Sequence, residues 1–297
     1  MRTDVYDNVT NQIVAALEKG VRPWHQPWSG EHLAAQVSRP LRANSLPYRG
    51  INVIMLWGAA VERGYRGSLW MTFKQALELG GHVRKGEKGS QVVYANSVTR
   101  TETNTATGED EERNIPFLKA YTVFNVEQVE GLPARFYLTE PAADPVGRIE
   151  RADAFFASTG ARISHGGNRA YYRPSDDRVQ MPPFEAFEGA EAYYATLAHE
   201  MTHWTKAPAR LDREFGRKRF GDEGYAMEEL VAELGAAFLC ADLGLSPEPR
   251  DEHASYLDHW VKVMKADKRA IFSAAAHAQR AADFLHGLQQ KVEEMAA

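Results

Sequence analysis

One pentapeptide constrains this 297-residue chain more than any other feature: His199-Glu200-Met201-Thr202-His203, inside the apolar stretch YYATLAHEMTHWTK. On a helix, residues four apart lie one turn apart on one face, so both imidazoles can reach a single metal ion. Glu200, next to the first histidine, is placed to take a proton from an activated water. The fold must therefore supply a helix over roughly 190–205 and a further ligand, because a catalytic zinc ordinarily has three protein ligands and one open position.

The next helical stretch, YAMEELVAELGAAFLCADLG, can donate that ligand. Glu229 and Glu233 stand four apart on one face, so one can bind metal while the other accepts a hydrogen bond from the far nitrogen of a ligating histidine. The spacing E-x-x-x-E resembles that of thermolysin-like gluzincins, and on that resemblance Glu229 is the ligand and Glu233 the outer partner. Glu228 and Glu233 stay open as substitutes. No third histidine follows at metzincin spacing, and the other histidines, among them His253, His259, His277 and His286, lack ligand spacing to this motif. Zinc suits the donor set, with Mn²⁺ or another divalent ion as the alternative. Tyr171, Tyr172 and Tyr225 are candidate oxyanion partners, and VQM (179–181) is a candidate edge strand for substrate backbone. The basic run Arg210, Arg213, Arg217, Lys218 and Arg219 reads as a solvated loop.

Charge is distributed unevenly around a net of −5. Residues 1–100 carry 13 Lys and Arg against 7 Asp and Glu, a net of +6, and the remainder carries −11. A basic N-terminal part suggests an anionic partner. Single-strand binders interleave cations that track phosphates with aromatic faces on which bases stack. Arg22, Trp24, His25, Trp28, Arg39, Arg42, Tyr48 and Arg49 have that character, and Lys85 and Lys88 sit in a Gly-rich basic turn. Single-stranded DNA is one partner this pattern fits; the other reading is that the tryptophans anchor a small core and the Lys85–Lys88 segment is an ordinary hairpin turn.

Local patterning predicts an α+β chain. Helices are expected over 4–19, over INVIMLWGAAVER before Gly64, and after Thr72, whose spacing to Gln75 is that of a capping box. Residues 90–98 and 116–126 are rich in β-branched and aromatic residues and predict two antiparallel strands around an acidic tip. EPAADPV (140–146) predicts a linker, giving domains 1–138 and 148–297 joined by 139–147. Beyond it, a helix near 148–158, short strands within 161–181 and helices over 190–205, 224–242, 251–265 and 267–294 are expected. A lone cysteine, Cys240, no secretory pattern at MRTDVYDNVTNQIV and no apolar run of bilayer length point to a cytoplasmic location without a membrane partner.

Longer segments carry a family resemblance. YRGINVIMLW, WMTFKQALELGGHVRKGEKGSQVVY and YTVFNVEQ resemble the single-stranded-DNA-binding domain that opens ArdC-type antirestriction proteins and TraC-type conjugative primases. LAHEMTHWTKAPARL and YAMEELVAELGAAFLCADLGL resemble the zincin-like metallopeptidase domain that follows it. The resemblance implies an N-terminal α+β DNA-binding domain followed by a zincin-like metallopeptidase domain, in a conjugative-plasmid protein that protects incoming DNA from host restriction endonucleases. It also implies His199, His203 and Glu229 as metal ligands, Glu200 as the catalytic glutamate, and a host protein as a potential substrate. The alternative expectation is a cytoplasmic regulatory metalloprotease that cleaves a repressor or other host protein, its N-terminal domain recognising protein rather than DNA.

Overall fold

The computed structural model describes residues 4–24, 38–103, 110–137, 145–216, 223–245 and 254–296. Its N-terminal part is α+β. Helix α1 (Val5–Leu17) starts where the Asp4 carboxylate accepts the Tyr6 N–H, and α2 (Ile51–Arg63) ends at Gly64 in the left-handed conformation, φ 71°. Helix α3 (Phe73–Glu78) opens with the reciprocal Thr72–Gln75 capping box that the sequence predicts.

These helices accompany a four-stranded sheet of order β1-β2-β5-β4: β1 (Leu41–Arg42), β2 (Leu69–Met71), β4 (Ser90–Thr103) and β5 (Asp110–Asn125). Strands β1 and β2 are parallel and the other pairs antiparallel. A small ladder joins β3 (His82–Val83) to β6 (Val129–Glu130). The β4–β5 hairpin exceeds the prediction, with pairing that runs from Ser90 opposite Val123 to Thr103 opposite Asp110. Polar residues expected in the tip, Asp110 to Arg113, are strand, because cross-strand backbone bonds do not require apolar side chains. The centre of that tip, 104–109, lies outside the described residues.

The C-terminal part follows with α4 (Pro145–Ala157), a three-stranded sheet and four further helices. The last residues of the expected linker, 145–147, are the first turn of α4; 139–144 lie outside the described residues. The sheet has the order β7 (Arg162–His165), β9 (Arg178–Met181), β8 (Tyr171–Arg173). This corrects one expectation: VQM belongs to β9, which pairs on both sides and offers no free edge, so the outer strands are β7 and β8.

Helices α5 (Ala190–Trp204) and α6 (Glu223–Leu243) are buried nearly all round, as their apolar composition requires of central helices. They approach so closely at Gly235 that a Cβ there would lie 2.5 Å from Thr202 Cγ2. Helices α7 (Ala254–Ala266) and α8 (Ala270–Ala296) complete the layer.

The two domains share one contiguous core. Val9 and Ile13 of α1, Ile54 and Trp57 of α2 and Trp24 join Phe238, Trp260 and Ile271 in a single cluster. Trp24 meets Trp260 edge-on at 6.0 Å between ring centres, and Trp57 lies 6.0 Å from Phe238. No described helix is long and apolar enough to cross a membrane.

Candidate metal centre

The turn spacing of α5 places His199 and His203 side by side, their ring centres 4.8 Å apart, facing α6. Glu229 reaches between them from α6. Its Oε2 lies 3.6 Å from His199 Nε2 and its Oε1 3.5 Å from His203 Nε2. Ligand atoms held at about 2.1 Å from a tetrahedral ion are roughly 3.4 Å apart, so the cluster has the dimensions of a three-ligand divalent site. Among the described residues, these three are the group of His, Cys, Asp and Glu donors that converge closely enough to hold a metal ion. Glu200, buried on the same helix, occupies the position after the first histidine.

Each imidazole has a carboxylate near its far nitrogen. His203 Nδ1 is 2.9 Å from Glu228 Oε1, and His199 Nδ1 is 3.9 Å from Glu233 Oε2. Glu233 lies beside the far nitrogen of His199 but beyond hydrogen-bond distance, whereas Glu228, adjacent in sequence to Glu229, hydrogen-bonds the far nitrogen of His203 from the other side. Burial works against the charged forms here, yet the carboxylates of Glu229 and Glu228 push His203 up to about 9. Glu228, despite its burial, is held down to about 2 by His203 and Arg213, and His203 and His199 hold Glu229 far below the usual carboxylate range.

Arg213 is the residue that sequence reasoning missed. It is 5% exposed and donates to both oxygens of Glu228, to the Thr202 carbonyl and to Thr205 Oγ1. Arg210, close by, packs its guanidinium 3.8 Å from the Trp204 ring centre and pairs with Asp177. Both correct the solvated-loop reading, and nothing in the basic run marks them out before folding. Arg217, Lys218 and Arg219 lie outside the described residues.

Of the three candidate tyrosines, Tyr225 stands one helical turn before Glu229, with its hydroxyl 3.2 Å from that of Tyr256. Burial, the Tyr256 hydroxyl and the Glu229 charge push Tyr225 above its ordinary range, so it stays a protonated donor. Tyr172 is instead engaged with Asp177 and Arg210, and Tyr171 is exposed on β8.

The residues expected to touch DNA are distributed differently. Trp24, Arg39 and Tyr48 are 2%, 6% and 3% exposed, so no base can stack on these rings and Arg39 cannot reach a phosphate. Three of the arginines clamp the N-terminal part onto C-terminal acids: Arg22 pairs with Glu233, Arg39 with Asp242 in a two-pronged contact, and Arg49 with Asp283. For Arg22 the physical reason is the burial of Glu233, which needs a counter-charge; the Arg49–Asp283 pair is solvent-exposed. Arg42, stacked over Tyr48, and Lys85 and Lys88 remain exposed. His25 and Trp28 lie outside the described residues.

Comparison with known proteins agrees with this division. Residues 3–124 match the family model of the N-terminal domain of anti-restriction factor ArdC, and residues 150–277 match that of a zincin-like metallopeptidase. A protein of Sinorhizobium fredii (strain NBRC 101917 / NGR234), y4eC, is 45% identical over 98% of this chain and 94% of its own length. Two DNA primases TraC of Escherichia coli are 36% and 35% identical over 96% of this chain, which spans 27% and 20% of their lengths. The metal-free crystal structure of the antirestriction protein ArdC from plasmid R388 superposes with a TM-score of 0.81 at 49% identity, covering 97% of this chain and 98% of that one. Its Mn(II)-bound structure gives 0.79 at 46% identity, covering 96% and 98%. With that likeness along its length, and with the two histidines and the glutamate converging closely enough to hold a metal ion, this chain belongs to the ArdC family of antirestriction proteins.

Proposed function

We propose that this protein binds single-stranded DNA through its N-terminal domain, protects incoming plasmid DNA from host restriction endonucleases, and carries a zinc-dependent metallopeptidase centre that acts on a host protein in the cytoplasm. The observation that carries the metallopeptidase reading is the convergence of His199, His203 and Glu229 at ligand distances, with Glu200 beside them. A divalent ion held there supplies Lewis acidity toward a carbonyl and lowers the pKa of water toward ~7. Glu200 takes the proton of the attacking water and hands it to the leaving amine. Tyr225 contributes a protonated hydroxyl at the same place. Zinc suits the donors; manganese, which the R388 protein holds in one of its structures, is the alternative, and metal analysis of the purified protein decides between them.

The DNA reading is supported by the ArdC N-terminal match and the TraC relatives. Its exposed cations are Arg42, Lys85 and Lys88. The experiment is binding of labelled single- and double-stranded oligonucleotides to the full chain across a salt series. Single-strand preference is expected, and an Arg42→Ala/Lys85→Ala/Lys88→Ala variant lowers the salt slope by roughly 0.7 for each phosphate contact removed. No binding at low salt overturns the DNA reading. In the same framework, Glu200→Gln abolishes any peptidase activity and leaves DNA affinity unchanged.

The internal pairing of Arg22, Arg39 and Arg49 favours a second reading, the regulatory metalloprotease, because it leaves fewer N-terminal cations free for phosphates. Failure to bind either kind of oligonucleotide is the outcome that selects it.

A further inference from the structure

We infer that the metal centre is composite: Arg22 and Trp24, from the N-terminal domain, are positioning residues for the metal ligand His199, acting through Glu233. The inference rests on reading His199, His203 and Glu229 as a divalent-metal site.

Each histidine has a carboxylate on its far side, a hydrogen-bonded one for His203 and one at 3.9 Å for His199, and the two come from differently supported parts of the chain. His203 turns its far nitrogen to Glu228, which Arg213 holds in place; all three belong to the C-terminal domain. His199 turns its far nitrogen toward Glu233 Oε2, and the other oxygen of that carboxylate faces the N-terminal domain. There, Glu233 Oε1 lies 3.4 Å from Arg22 Nη1 and 3.4 Å from Trp24 Nε1, partners 211 and 209 residues away in sequence.

Three physical arguments join these contacts to metal binding. Glu233 is buried, so its carboxylate needs a counter-charge, and Arg22 supplies one. Trp24 is buried too, with its ring against Trp260, and its N–H donates to Glu233. A carboxylate 3.9 Å from the far nitrogen, at ion-pair and not hydrogen-bond distance, favours the proton on Nδ1 of His199 by its charge, which leaves Nε2 with a lone pair for an ion. Arg22 and Trp24 thereby act on a ligand they never touch, and displacement of the chain after α1 weakens the metal site.

The test uses the full-length chain, Mn(II) titrated calorimetrically and Co(II) added as a probe whose visible absorption reports coordination geometry. Arg22→Gln and Trp24→Phe, the latter removing the N–H while keeping an aromatic ring, are each expected to weaken Mn(II) binding about tenfold and to shift the Co(II) bands, the scale typical of outer partners of metal ligands. Arg22→Lys, which keeps the charge, recovers most of the loss. In a Glu233→Gln background, neither substitution has a further effect, because the relay is already cut. Unchanged Mn(II) affinity and Co(II) spectra in both variants overturn the inference. Losses of equal size with and without Glu233 overturn it as well, since a general loosening of the fold would produce them. If the parent chain itself binds no Mn(II), the metal-site reading fails first, and the inference falls with it. Should Arg22→Gln fail to fold by circular dichroism, Trp24→Phe and Arg22→Lys carry the same comparison.

Discussion

Arg213 lays its guanidinium across the carboxylate of Glu228, with Nε 2.8 Å from one oxygen and Nη2 2.9 Å from the other, and that second oxygen is also the partner of His203 Nδ1. The remaining donors of Arg213 reach the Thr202 carbonyl and Thr205, so the arginine stitches the end of the α5 ligand helix to α6. The face of α5 that carries His199 and His203 is thus held from behind by a buried ion pair.

Removing one partner of such a pair leaves a buried charge uncompensated. Arg213→Ala is expected to destabilise the metal-free protein by about 3–5 kcal/mol in denaturant unfolding. Arg213→Lys recovers only part of this, because an ammonium cannot fork onto both oxygens. Wild-type stability in Arg213→Ala would show that the pair is immaterial.

At Gly235 two opposing effects compete. Alanine favours a helix interior over glycine by about 1 kcal/mol, but its Cβ would lie 2.5 and 2.6 Å from the methyl and hydroxyl of the buried Thr202. Because Thr202 sits in a packed helix–helix contact, the clash decides the sign, and Gly235→Ala is expected to cost about 1–3 kcal/mol. Adding Thr202→Ala restores part of it. A stabilised Gly235→Ala in thermal melts would refute this packing account.

His277 gives a pH dependence away from the ligands. Burial first, then the neighbouring Arg280 and Arg213, push its imidazole down to about 4, against the opposing charge of Glu228, while the ring packs on Phe215. Between about 6.5 and 4 the unfolded chain therefore takes up a proton that the folded chain refuses. Stability from this group is complete above 6.5 and falls as the pH drops through that window. Melting temperatures measured across it should decline less steeply for His277→Asn than for wild type, and superimposable profiles would contradict the assignment.

Divalent metal should stabilise the folded chain. At a free concentration a hundredfold above Kd the gain is about 2.7 kcal/mol, read as a rise in Tm on adding Zn²⁺ or Mn²⁺ and its reversal by chelator. Glu229→Gln, which removes one of the three converging donors, should abolish the rise, each melt being compared with the metal-free melt of the same variant. A metal-induced rise that persists in Glu229→Gln would place the ion elsewhere.

Features encoded within a turn or two of chain were legible in the sequence. The helix opening the chain, the Thr72–Gln75 box, the stop at Gly64 and the period of α5 depend on neighbours a few residues apart, and the structure has them all. Five consecutive residues likewise put two histidines on one face of α5, and the structure brings them together with Glu229 of α6. The extent of the β4–β5 hairpin was less legible, since its outer residues are strand by virtue of facing each other and not by their apolar character.

What lay beyond the sequence was the use made of its charged and aromatic residues. An arginine beside a tryptophan reads the same whether it will meet a phosphate or a glutamate two hundred residues away. The four-residue periodicity of α5 and α6 determines which donors share a helix face, but the docking of the two helices decides that Glu229 falls between the histidines while Glu228 falls behind one of them. It is likewise burial at the junction of the two domains, of Glu233 in one pair and of Arg39 in the other, that joins Arg22 to Glu233 and Arg39 to Asp242. Local backbone geometry follows from adjacent residues; the pairing of buried charges follows from which surfaces lose their water, and only the assembled fold settles that.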